Sequence, residues 1–115
     1  MENKPVEEIA PHANSIVIND VAYDIHNVGA KVPNYIFISF CELTRIMRIK
    51  DYDKENFAFY IYENGKNIVN ATRDILIYAL GSEQFDKAFP NFKDVPLSVL
   101  LDYCFLIQVK LKLVF

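Results

Sequence analysis

Two β-rich runs, "SIVI" and "VAYDIH", meet at Asn19 and Asp20. Asn and Asp tolerate positive φ better than other residues with a Cβ, so this pair between β-branched runs predicts a tight reversal of the primed type. The expected strands are Ser15 to Ile18 and Val21 to His26. Ahead of them, residues 1 to 13 hold Pro5, Pro11 and three acidic side chains without periodicity. They read as a flexible lead.

After the loop "NVGAKVPN", the stretch "ISFCELTRIMRI" changes character. Ser39 and Glu42 have the spacing of a capping box, in which the serine oxygen accepts from a free helix N–H and the glutamate reaches back. This predicts an extended Tyr35 to Ile38 leading into a helix from about Phe40 to Arg48, with Phe40, Leu43, Ile46 and Met47 on one face. "FAFYIY" then has strand composition, "ENGK" has a turn glycine at Gly65, and "NIVN" can pair back. Residues 68 to 80 fit a helix capped by Thr72 or a short buried strand equally well.

Further on, Pro96 suits a helix start with Asp94 as cap, giving a short helix through about Asp102. Beyond it Phe105, Ile107, Val109, Leu111, Leu113 and Phe115 alternate with Leu106, Gln108, Lys110, Lys112 and Val114. That period of two predicts a terminal amphipathic strand. Such a strand completes its own sheet or adds to another chain, so the six alternating residues are the candidate protein interface, including for a homodimer. Lys110 and Lys112 would lie on its solvent side.

The chain has 115 residues, enough for one core, and its 52% hydrophobic content is that of a folding chain. A net charge of -3 lacks the basic footprint of nucleic-acid binding. "GKNIVNATRDI" is faintly similar to the KilA-N type of viral DNA-binding domain, a reading that the acidity opposes. No segment has the roughly twenty apolar residues that span a bilayer, and the acidic first residues do not form a secretion signal, so the expected location is the cytoplasm. Cys41 and Cys104 accordingly read as reduced, packed thiols.

No arrangement of residues points to catalysis. His12 and His26 with two cysteines fit no zinc spacing. Asp51, Asp53 and Glu55 imitate the start of a calcium loop, but Asn56 stands at the glycine position and Tyr62 at that of the bidentate glutamate. The three glycines, at 29, 65 and 81, cannot form a phosphate cradle. The expectation is a non-enzymatic protein that carries no metal or cofactor.

Taken in order, "IVINDVAYDI", "ISFCELTRIM", "FAFYIYENGK" and "ILIYALGSEQF" resemble the prokaryotic ubiquitin-like proteins of the multiubiquitin type. Gly81, Glu83 and Phe85 occupy that family's loose "G-x-E-x-F" pattern, and Ser39, Glu42 and Leu43 resemble its helix entry. The resemblance covers about residues 15 to 89. It implies a β-grasp fold in the α+β class: a sheet with one main helix across it over residues 14 to 89, here extended by a C-terminal helix and strand over 90 to 115. It further implies a modifier or adaptor that binds activating or conjugating enzymes, as in bacterial antiviral systems. Conjugated modifiers end in a slim glycine tail, whereas "KLKLVF" stands last here. The second expectation is a small phage-type inhibitor of a host or defence complex that uses the terminal strand for dimerisation or target capture.

Overall fold

A computed structural model describes residues 14 to 112. The class is α+β: one antiparallel hairpin and three long helices. Strands β1 (Ser15–Ile18) and β2 (Val21–Asp24) pair in the register Ile16 to Tyr23 and Ile18 to Val21. Asn19 and Asp20 both have positive φ, 52° and 65°, as the primed reversal demands. Ile16, Ile18, Ala22 and Tyr23 are buried, and Val17 points outward.

Helix α1 spans Asn34–Tyr52, α2 Lys54–Ala88 and α3 Leu97–Leu111, with a single 3-10 turn at Phe92–Asp94. A two-stranded hairpin cannot stand alone in water. Here the helices supply the apolar cover. Ile36, Phe40, Leu43 and Ile46 form a stripe on α1; Ile68, Thr72, Ile75, Leu76, Ala79 and Leu80 form one on α2; Leu100, Cys104, Ile107 and Leu111 form one on α3. Apart from the adjacent pairs Ile75–Leu76 and Ala79–Leu80, which widen the stripe on α2, each of these spacings is three or four residues, which is the helical repeat. Burying a side chain of this size contributes about 1.5–3 kcal/mol.

Only Asp53 separates α1 from α2, so the two run antiparallel, and the Tyr60 hydroxyl donates to Glu42 Oε1 across them at 3.0 Å. Both α1 and α3 pack on α2. The hairpin docks on the far part of α2, where Gly81 breaks the helix with φ 78° and ψ 157°. That region of backbone space belongs to glycine. In an unbroken helix the carbonyls of Tyr78 and Ala79 would accept from residues 82 and 83. Instead Asn27 Nδ2 donates to the Tyr78 carbonyl at 2.9 Å, and the His26 N–H donates to that of Ala79 at 2.6 Å. Gln84 completes the attachment. Its amide accepts from the Asp24 N–H at 3.2 Å and donates to the Asp24 and Leu80 carbonyls, both at 2.8 Å.

The same exit loop reaches α3. Gly29 N–H donates to the Leu111 carbonyl at 2.6 Å, and Lys110 Nζ donates to the Ser15 carbonyl at 2.8 Å. Lys110 is therefore half-buried and anchors α3 to β1, instead of lying on a free solvent side.

Several expectations need correction. Helix α1 begins at Asn34, so Tyr35 to Ile38 are helical. Pro33 opens it with extended angles, and its carbonyl accepts from Ile36 and Phe37 at 3.1 and 2.9 Å. Ser39 is thus interior and its hydroxyl donates back to the Tyr35 carbonyl at 3.1 Å, while Glu42 pairs with Tyr60. "FAFYIY", "ENGK" and "NIVN" are all within α2. Phe57, Ile61, Ile68, Thr72, Ile75 and Ala79 share one face at helical spacing, and the burial of the last four outweighs the cost of about 1 kcal/mol for Gly65 in mid-helix. Residues 68 to 80, open between two states from sequence, are helical. The described residues contain no strand besides β1 and β2. Pro96 itself is the cap residue of α3, Asp94 lies in the 3-10 turn, and α3 continues past Asp102 to Leu111.

Candidate functional site

The expected terminal strand is helical. Phe105, Ile107, Val109 and Leu111 belong to α3, where positions two apart lie on nearly opposite sides of the axis. Ile107 and Leu111 are fully buried, Phe105 is half-buried and Val109 is 73% exposed. The structure therefore does not bring these four together on one face, and Leu113 and Phe115 lie outside the described residues. Alternation misled because α3 is apolar on most of its circumference: Ile107 and Leu111 continue the inward stripe from Leu100 and Cys104. Its outer face still carries Val99, Leu106 and Val109 with Asp102 among them, at spacings of three, four and three.

Beside that face, α1 and α3 lie next to each other without packing directly along their length, because each is seated on α2. Between them runs an open groove of about 580 Å³. It is lined by Phe37, Phe40, Cys41, Thr44 and Ile49 from α1 and by Gln108 from α3. Arg45 and Arg48 line it as well, and no carboxylate does. These are two of the three arginines in a chain of net charge -3. The spacing of Cys41, Thr44 and Arg48 on one helix face was legible in the sequence, whereas Phe37 was expected in the extended lead before that helix. What was not legible was that α3 would come alongside.

Arg45 also turns toward α2. Its hydrogen bond to Tyr60, and the nearby Glu42 charge, raise the guanidinium above its ordinary value. Burial raises the Tyr60 phenol, as does its hydrogen bond to Glu42. The Tyr60 to Glu42 bond thus lies beside Arg45, which lines the apolar groove and also a second, polar one. The second groove, about 420 Å³, lies between α1 and α2 and presents Asn64, Asn67, Asn70 and Asp74 at helical spacing. No ion pair involves Arg48 among the described residues.

The cysteines are both free. Cys104 is packed as expected, with its thiol raised by burial and 3.7 Å from the Thr72 carbonyl. Cys41, expected to be a buried structural thiol, is exposed because it follows the inward Phe40 and so faces the groove. His26 is exposed, with its ring against Gly81; His12 lies outside the described residues. Of the acidic run, Asp53 accepts from the Asn56 side chain at 2.8 Å. Among the described residues no group of three or more His, Cys, Asp or Glu is placed to hold a metal ion, and no helix is long and apolar enough to cross a membrane.

No model of a known protein family, no curated protein and no solved structure matches this chain.

Proposed function

We propose that this chain is a non-enzymatic, cytoplasmic protein-binding module whose contact surface is the groove between α1 and α3 together with the outer face of α3. The observation that carries this reading is the groove's composition: Phe37, Phe40 and Ile49 line it together with two arginines. Arginine and aromatic residues are the types enriched where protein surfaces meet. The exposed Val99, Leu106 and Val109 continue the apolar surface along α3.

Two forms of this function are supported by different features. A ubiquitin-like modifier or adaptor in an antiviral system draws support from the hairpin followed directly by α1, the opening order of a β-grasp chain. The helical state of residues 57 to 62 and 67 to 70 narrows that support to residues 15 to 52. A small inhibitor of a host or defence complex, acting as a monomer or a homodimer, draws support from the outer face of α3, since strand addition is no longer its route.

A photocrosslinker attached to Cys41 in the native host tests the module and separates its two forms. The expected result is a discrete set of protein adducts that is lost in Phe37→Lys and Val109→Lys variants. Activating or conjugating enzymes among the adducts favour the modifier; subunits of one host complex favour the inhibitor. Adducts unchanged by both substitutions would remove the groove from the function.

A further inference from the structure

Asparagine disfavours helix interiors, because its amide competes with the backbone for hydrogen bonds. Asn14, Asn19, Asn27, Asn34, Asn56 and Asn91 accordingly stand in turns, loops or first helical turns. Asn64, Asn67 and Asn70 break this rule inside α2, close to Gly65, and all three line the polar groove against α1. Local preference is given up at functional positions, and here the positions that give it up share one groove. Resting on the protein-binding reading above but at a different surface, we infer that this groove takes an extended segment of a partner protein, whose main chain pairs with the Asn67 and Asn70 amides and whose basic side chain meets Asp74.

Hydrogen-bonding capacity, length and charge select that occupant. Each carboxamide carries a donor and an acceptor on one planar group, the complement of a peptide's C=O and N–H. Asn64 donates to the Tyr60 carbonyl at 3.1 Å, whereas among the described residues no intramolecular hydrogen bond engages the Asn67 or Asn70 side chain. A docked helix has already paired its main chain internally and would leave these amides unmet, while an extended segment offers N–H and C=O along its whole length. The walls run from Tyr35 to Arg45 on α1 and from Asn64 to Asp74 on α2. Both cover ten positions, about 15 Å at the helical rise, which about four to five extended residues span. At the Asn64 end, Glu42 accepts the Tyr60 hydroxyl and stands beside Arg45. Asp74, at the other end, has no ion pair among the described residues, so the uncommitted charge is negative and its complement is lysine or arginine. An acidic segment is repelled by Asp74 and by the net charge of -3.

The probe is a displayed library of linear peptides with about seven random residues, enough to overfill the groove in extended form, selected on the full chain. Selected peptides are expected to carry lysine or arginine and to lose about tenfold or more in affinity for the Asn67→Ala, Asn70→Ala double variant. That variant should at the same time raise the urea midpoint, since alanine is the better helix former, so its loss of binding is not a loss of fold. Asp74→Asn should weaken binding about threefold or more, against less than about twofold for Asp86→Asn, the same charge change at an exposed position beyond Gly81. N-methylation of the selected peptide, one nitrogen at a time, should abolish binding at alternate positions, the signature of main-chain recognition along one side of an extended segment. The inference is overturned by a library that yields no binder, by binders that the asparagine substitutions leave unchanged, by a midpoint that falls in the double variant, or by N-methylation without effect at every position. Photocrosslinked adducts through Cys41 that persist in the double variant would, in any of those cases, leave the protein-binding reading standing and remove only the extended segment.

Discussion

From Ile68 to Ala88, α2 buries nine side chains, whereas from Lys54 to Asn67 it buries none. The far part is held by apolar contact with α1, α3 and the hairpin, and its break at Gly81 is bonded to residues 24 to 27. The near part is held by its own backbone ladder, by the half-buried Phe57 and Ile61, and by the Tyr60 to Glu42 bond. Ahead of its break at Gly81, one helix can thus be a core element at one end and a surface arm at the other. The difference shows that helical state and tertiary anchoring are separate properties, and that the arm is the place for local opening.

The strongest way to break this comparison is to remove equivalent apolar bulk at each end. Leu76→Ala, at a fully buried position, should lower the unfolding free energy by about 2–5 kcal/mol in urea titrations, and Ile61→Ala, half-buried, by about 1 kcal/mol. Amide exchange should agree, with residues 71 to 80 opening only on global unfolding and residues 54 to 64 opening well before. Equal losses, or equal protection, would show the two ends to be one cooperative unit.

The two glycines of α2 give a sharper contrast. Gly81→Ala meets a strained φ of 78° and the His26 ring 3.3 Å from the new Cβ, so a loss of about 1–3 kcal/mol is expected. Gly65→Ala meets nothing within 4 Å and replaces a poor helix former by the best one, so a gain of about 0.5–1 kcal/mol is expected. The same substitution in the same helix then has opposite signs, readable as opposite shifts of the denaturation midpoint. A loss at Gly65 would mean that the arm does not behave as a simple solvated helix.

A smaller effect comes from the phenols. Burial raises Tyr23, Tyr60 and Tyr78 above the ordinary value of 10.0. The unfolded chain releases these protons first, so the folded state holds more protons in that window and stability falls as pH rises. Urea midpoints should be steady below about pH 9 and decline above about pH 10. Tyr23→Phe in the hairpin and Tyr60→Phe on the arm should each flatten the decline. A midpoint that rises with pH in this range would contradict the burial of all three.

How much could be read in the residues depended on how local the cause was. The Asn19 and Asp20 reversal and β1 were legible because a primed turn is decided by the φ tolerance of two residues. The inner face of α1 was legible through Phe40, Leu43 and Ile46. Its start was displaced because Ser39 and Glu42 have cap spacing but found other partners, Tyr35 and Tyr60. "FAFYIY" read as strand from β-branched and aromatic composition, yet Phe57 and Ile61 belong to a stripe that continues through Gly65 to Ile68. Of the candidate interface, Val109 is exposed on α3, while Ile107 and Leu111 serve the core.

The amino-acid order alone thus determined the hairpin turn, the inward stripe of α1 and the start of α3 beside Pro96, since each follows from backbone freedom or periodicity within a few residues. The tertiary structure decided the state of residues 54 to 80 and of 103 to 111, and it created the groove. Their apolar runs satisfy two periodicities at once, and which one is realised depends on burial against elements distant in the chain. The groove exists only because α1 and α3 are both seated on α2.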